Sequence, residues 1–150
     1  MEAFRFKLEG LLKLRRFKER KIKIELGNIV KEIQNTKDQI VDLLKQVDHI
    51  YDSEESALQS STKARMLQAF PLFIQAKKDE IEMKRTLQFS LEKKYEAKVQ
   101  EMKITMGEVK VIESLKEKKI LEYKKVKEKK QNEELEDLYL MRKKSLEGAL

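Results

Sequence analysis

Residues 22–50 read IKIELGNIVKEIQNTKDQIVDLLKQVDHI. Apolar side chains recur there at alternating steps of four and three: Ile22, Leu26, Ile29, Ile33, Thr36, Ile40, Leu43, Val47 and Ile50, with Thr36 the one polar member. A strand alternates every second residue and has no use for this spacing. On a helix it draws a stripe about two sevenths of the circumference wide, the seam of a coiled coil and too narrow for a globular core. The stripe needs another helix to lie against.

Composition agrees. Of 150 residues, 41% are charged and 7% aromatic, with one Pro and four Gly, so the chain has few places to turn and reads as long helices. The absence of Cys excludes disulfides, thiolate metal sites and thiol catalysis. The longest uncharged run, Met66 to Ala76, is shorter than the ~20 residues of a membrane span. Charge alternates with apolar residues from Glu2 onward, so no signal-peptide core is drawn, and a soluble, cytoplasmic protein is expected. The net charge of +7 is uneven: residues 1–30 carry nine Lys/Arg against four Asp/Glu, and residues 31–62 carry three against seven.

The periodicity predicts a single coiled-coil domain over 1–150, with helix one at about 4–51, a turn and short helix at about 52–70, and a long helix at about 71–146. Leu8 and Leu12 extend the seam backwards, but Arg15 and Glu19 take its next slots. Leu11, Leu14 and Phe17 form a neighbouring stripe, which predicts a register shift between Leu14 and Ile22. Asp52 with Glu55 reads as a capping box for the short helix, and Pro71 suits the first turn of the next. The stripe of the long helix reads Leu87, Leu91, Tyr95, Val99, Met102, Met106, Val109, Ile112, Leu115, Ile120, Tyr123 and Val126.

Two stripes joined by a compact turn fold back as an all-α, long antiparallel two-helix coiled-coil hairpin with a short helix in the turn region. A pivot near residue 62 sets Leu8 near residue 116 and leaves the last thirty or so residues as a lone helix, which is marginal in water. Residues 1–30 then lie near residues 116–130, which hold eight Lys against three Glu, so a basic open end opposes an acidic turn end.

Sites for chemistry are sparse. His49, the one histidine, has no second histidine or thiolate to complete a tight metal site, and reads as a solvated side chain. No phosphate-cradling Gly motif occurs. No catalytic residue, cofactor, metal or small-molecule ligand is expected. The cluster Arg15, Arg16, Lys18, Arg20, Lys21 and Lys23 has interleaved glutamates and no aromatic platform, which disfavours nucleic acid and leaves a solvated helix face or a docking surface for an acidic protein. Around Pro71, a two-helix turn has too little room to bury Phe70, Leu72, Phe73 and Ile74 together, so one or two stay exposed as candidate contacts.

The opening Phe4-Arg5-Phe6-Lys7-Leu8-Glu9-Gly10-Leu11-Leu12-Lys13-Leu14-Arg15 resembles the start of the FliJ family of flagellar export proteins, as does Phe73-Ile74-Gln75 after the turn. The resemblance implies a non-enzymatic, cytoplasmic component of the flagellar type III export apparatus, peripherally associated with the inner membrane. Its relatives are antiparallel coiled coils similar to the central stalk of rotary ATPases. They enter the export ATPase ring with the terminal end, engage the transmembrane export gate near the turn, and in some cases escort export chaperones. Carried onto this chain, the ATPase-facing residues are Arg15, Arg16, Arg20, Lys116 and Lys119, and the gate-facing residues are Val47, Tyr51 and Phe73. Lys77, Glu80 and Lys84 are charged where relatives carry apolar or neutral residues. Competing readings are the equivalent stalk of a virulence secretion system, a basic coiled coil binding nucleic acid or an acidic filament through residues 116–130, and an extended parallel dimer.

Overall fold

A computed structural model of the chain describes residues 2–60 and 63–149. Among these, two helices make up the secondary structure: α1, Glu9–Gln59, and α2, Ala64–Gly148. They pack against each other as an all-α helical hairpin. The chain divides into two units, residues 1–19 with 104–150, and residues 20–103.

In the second unit the seam of α1 is as its spacing predicts. Ile22, Ile29, Thr36, Ile40, Leu43 and Val47 are buried, while Leu26, Ile33 and Ile50 are half-buried. Ile40, Leu43 and Val47 cluster with Ile81 of α2. Each such aliphatic side chain contributes about 1.5–3 kcal/mol on leaving water. Thr36 is tolerated because its hydroxyl donates to the Glu32 carbonyl one turn back, at 2.8 Å.

The seam of α2 differs from the expected stripe. Ile74, Ile81 and Leu91 are buried, and the slots between them are held by Lys77, Lys84 and Gln88, all half-buried; Lys98 and Met102 continue the same four-three spacing. Of the expected stripe, Leu91, Val109 and Ile112 are buried and Val99, Met102, Ile120 and Tyr123 half-buried, whereas Leu87, Tyr95, Met106, Leu115 and Val126 are exposed. Long polar side chains occupy seam slots by laying their methylene stems along apolar surface and keeping their heads in water. A stripe drawn through apolar residues alone therefore drifts off the true face.

The first unit corrects the expected register shift. Leu12 is wholly buried and packs with Val109 and Ile112, and Phe6 closes over this cluster. Arg15 and Glu19, at the next steps of three and four, are half-buried, whereas Leu11, Leu14 and Phe17 are exposed. The seam holds its phase through two charged slots because Arg15 reaches Glu108 of α2, Nη1 to Oε2 at 2.7 Å.

The helix boundaries also depart from the sequence reading. Residues 2–6 are not helical, although helix one was expected from about residue 4. Phe4 and Phe6 point the same way in an extended segment but are about 200° apart on a helix. Leaving the helix frees Phe4 to pack against Tyr123, the rings tilted with centroids 5.5 Å apart, while Phe6 joins the core. At the other end, α1 runs through 52–59, and among the described residues no separate short helix forms. Ser53 satisfies its hydroxyl on the His49 carbonyl, and Glu54 and Ala57 prolong the seam past Ile50. Pro71 lies inside α2, seven residues after its start. Half-burial of Leu67 and Phe70, in phase with Ile74, carries the helix through a residue that costs about 3 kcal/mol in a helix interior. The expected pivot at about residue 62 lies outside the described residues.

Candidate partner-binding surfaces

The expected ATPase-facing residues begin with Arg15 and Arg16, a turn and a half into α1. Both are engaged within the first unit. Arg15 pairs with Glu108, and Arg16 donates from Nε and Nη2 to one oxygen of Glu113, at 3.3 and 3.0 Å. Lys116 meets Glu9 at 2.8 Å, and Lys119 makes a looser local pair with Glu122 at 3.4 Å. Four of the five expected cations therefore share the first unit, and three of them tie α1 to α2. Arg20 belongs to the second unit and is exposed.

These ties were missed in the linear sequence, but folding it about residue 62 exposes them. Glu9–Lys116, Arg15–Glu108 and, in the second unit, Glu25–Lys98 at 2.6 Å are each symmetric about a point between residues 61 and 63. The bond from Lys116 holds the Glu9 carboxyl below the ordinary carboxylate range, and the bond from Lys98 does the same for Glu25. Lys98 is raised in turn by its bonds to Glu25 and Glu101. Pairs of this kind are screened by solvent, so they set register more than stability.

Cations without such ties remain on α2. Lys118, Lys124, Lys125, Lys127, Lys129 and Lys130 are exposed and make no ion pair among the described residues. From residue 124 to residue 149 every side chain is exposed, as expected of a helix that has outrun its partner. Val126, Leu135, Leu138, Tyr139, Leu140, Met141 and Leu146 are the large apolar residues left uncovered there.

The expected gate-facing residues separate by burial. Val47 is 7% exposed and belongs to the core cluster, so it presents nothing to a partner. Tyr51 is partly exposed, with the Lys78 ammonium 5.9 Å from its ring centroid. Phe73 is 59% exposed. Of the four apolar residues around Pro71, Ile74 is buried, Phe70 half-buried, and Leu72 and Phe73 exposed, in keeping with the limited room at a two-helix turn. Lys77 and Lys84 are half-buried, and Glu80 is exposed beside Lys77.

His49 is exposed, and no group of three metal-ligating side chains occurs among the described residues. Among the described residues, no helix is long and apolar enough to cross a membrane. Comparison with curated proteins and with solved structures returns no match. Comparison with protein families matches residues 4–145 to the family described as Flagellar FliJ protein. A match over nearly the whole chain, on an all-α helical hairpin, makes this protein a member of the FliJ family and a component of the flagellar protein-export apparatus.

Proposed function

We propose that the protein is a non-enzymatic stalk of the export apparatus, working on the cytoplasmic side of the inner membrane. Its first unit docks in the export ATPase ring, its second unit meets the transmembrane export gate, and export chaperones are handed on along it. The observation that carries this reading is the excess of exposed, unpaired lysines between Lys118 and Lys130 in a FliJ-family chain. A cationic helix surface suits an acidic ring lumen, and complementary potential speeds encounter more than it raises affinity.

The intramolecular ties of Arg15, Arg16 and Lys116 support a different part for those residues in docking from that of Arg20 and Lys119. They hold α1 on α2, while the free lysines and Arg20 meet the ring. On the gate side, Tyr51 and Phe73 carry the contact, with Leu72 beside them.

Pull-down by the export ATPase and by the cytoplasmic part of the gate tests this. Lys124, Lys125 and Lys127 changed together to Glu should reduce capture by the ATPase and spare the gate. Phe73→Ala with Tyr51→Ala should do the reverse. Reversal of Arg15 and Arg16 to Glu, combined with Glu108→Arg and Glu113→Arg, keeps the internal pairs and should leave ATPase capture unchanged. Normal ATPase capture by the triple-lysine variant would remove the docking claim.

A further inference from the structure

An apolar groove of about 560 Å³ lies in the first unit, between the non-helical segment 2–8 and α2. Phe4, Phe6, Leu115 and Val126 line it, and Arg5, Lys7 and Lys119 stand at its rim. Its wall is held in shape: Tyr123 stacks on Phe4 and donates its hydroxyl to the Glu2 carbonyl at 2.8 Å. Glu122 is the one acid at the rim and is paired with Lys119. The groove therefore asks for an apolar segment flanked by carboxylates.

The same unit carries such a segment. Residues 133–141 read EELEDLYLM, with Leu135, Leu138, Tyr139 and Met141 each more than 60% exposed. On the helix, Leu135, Leu138 and Tyr139 fall on one face, with Glu134 and Glu136 on its two flanks. None of Glu133, Glu134, Glu136 and Asp137 makes an ion pair among the described residues. This segment does not reach its own groove, because it continues the same helix and Leu135 lies roughly 13 Å beyond Val126 along the axis.

We infer that the groove takes the acidic, apolar tail segment of a second copy of this chain. Leu135, Leu138 and Tyr139 of one copy enter the groove of the other, and Glu134 and Glu136 on the flanks of that face meet Arg5, Lys7 and Lys119. Two copies exchanging tails antiparallel make two equivalent contacts and close as a twofold dimer. Such a dimer covers part of the lysine-rich surface, so it competes with whatever binds there. The inference stands on the groove and the tail alone and does not depend on the export reading.

Sedimentation velocity of the full chain over a concentration series tests it, using two charge reversals at exposed sites. One changes Arg5, Lys7 and Lys119 to Glu; the other changes Glu134 and Glu136 to Lys. Helical content by circular dichroism checks that each variant folds. Wild type should dimerise, each variant alone should associate roughly tenfold or more weakly, and their equimolar mixture should associate again, since swapped charges are complementary. Added salt should weaken all of these associations. A wild type that stays monomeric throughout overturns the inference. So does a dimer indifferent to both reversals, or a mixture of the two variants that does not associate.

Discussion

Thr105 is the most informative single substitution in the first unit. Its side chain is wholly buried, and its hydroxyl is the one buried side-chain polar atom without a hydrogen-bond partner among the described residues. Thr36 is nearly as buried in the second unit, but its hydroxyl is satisfied by the Glu32 carbonyl. Valine has the same shape and the same β-branching, so exchanging Thr for Val changes the polar atom and little else. Leaving a buried hydroxyl unpaired costs about 1–3 kcal/mol, whereas a made hydrogen bond contributes a net ~0.5–1.5 kcal/mol. A methyl in place of the hydroxyl adds about 0.8 kcal/mol of apolar burial at either site. Thr105→Val should therefore stabilise by about 1–2 kcal/mol, raising Tm by roughly 2–4 °C per kcal/mol in a chain of this size. Thr36→Val should fall within about 0.5 kcal/mol of zero, because the lost bond offsets the gained burial. Urea unfolding followed by far-UV circular dichroism measures both. Equal effects for the two variants, or a destabilised Thr105→Val, would refute the reasoning, since they would mean that the Thr105 hydroxyl has found an acceptor.

Three other outcomes follow from the same packing. Gly27 and Gly107 lie in helix interiors where an added Cβ meets nothing within 4 Å, so Gly27→Ala and Gly107→Ala should each stabilise by about 0.5–1 kcal/mol in the same urea assay. Leu12→Ala empties a fully buried site against Val109 and Ile112 and should cost about 2–5 kcal/mol, while Leu72→Ala, at an exposed site, should stay within about 0.5 kcal/mol of wild type. Glu9 and Glu25 hold their protons less readily in the folded chain than in the unfolded one. The stability they contribute is complete above the ordinary carboxylate range and is lost as pH falls through their depressed values, so Glu9→Gln with Glu25→Gln should flatten the acid limb of Tm against pH. Lys98 gives the mirror case: its contribution is complete below the ordinary lysine range and is lost as pH rises through its raised value.

The pattern from Ile22 to Ile50 specified its own helix face completely, because nearly every slot of that seam is apolar and a 3.5-residue repeat admits one solution. The length of the chain, its poverty in Gly and Pro, and the two stripes on either side of one interruption then pointed to a helical hairpin, and the opening Phe4–Arg15 segment pointed to the family. Tertiary packing decided the rest. On α2, Lys77, Lys84, Gln88 and Lys98 sit in the seam, which no reading of apolar residues reveals, since their stems pack while their heads remain in water. Arg15 and Glu19 kept the register of α1 because Glu108 stands across from Arg15. Helix ends moved for the same reason: Glu54 and Ala57 had a partner to lie against beyond Asp52, and Phe4 and Phe6 had Tyr123 and the Leu12 cluster to cover. Val47 and Phe73 were indistinguishable as apolar residues near a turn, yet one is core and the other surface. Periodicity along one helix fixes which face needs a neighbour; which side chains that neighbour covers depends on the register between two helices, a relation between residues far apart in the chain.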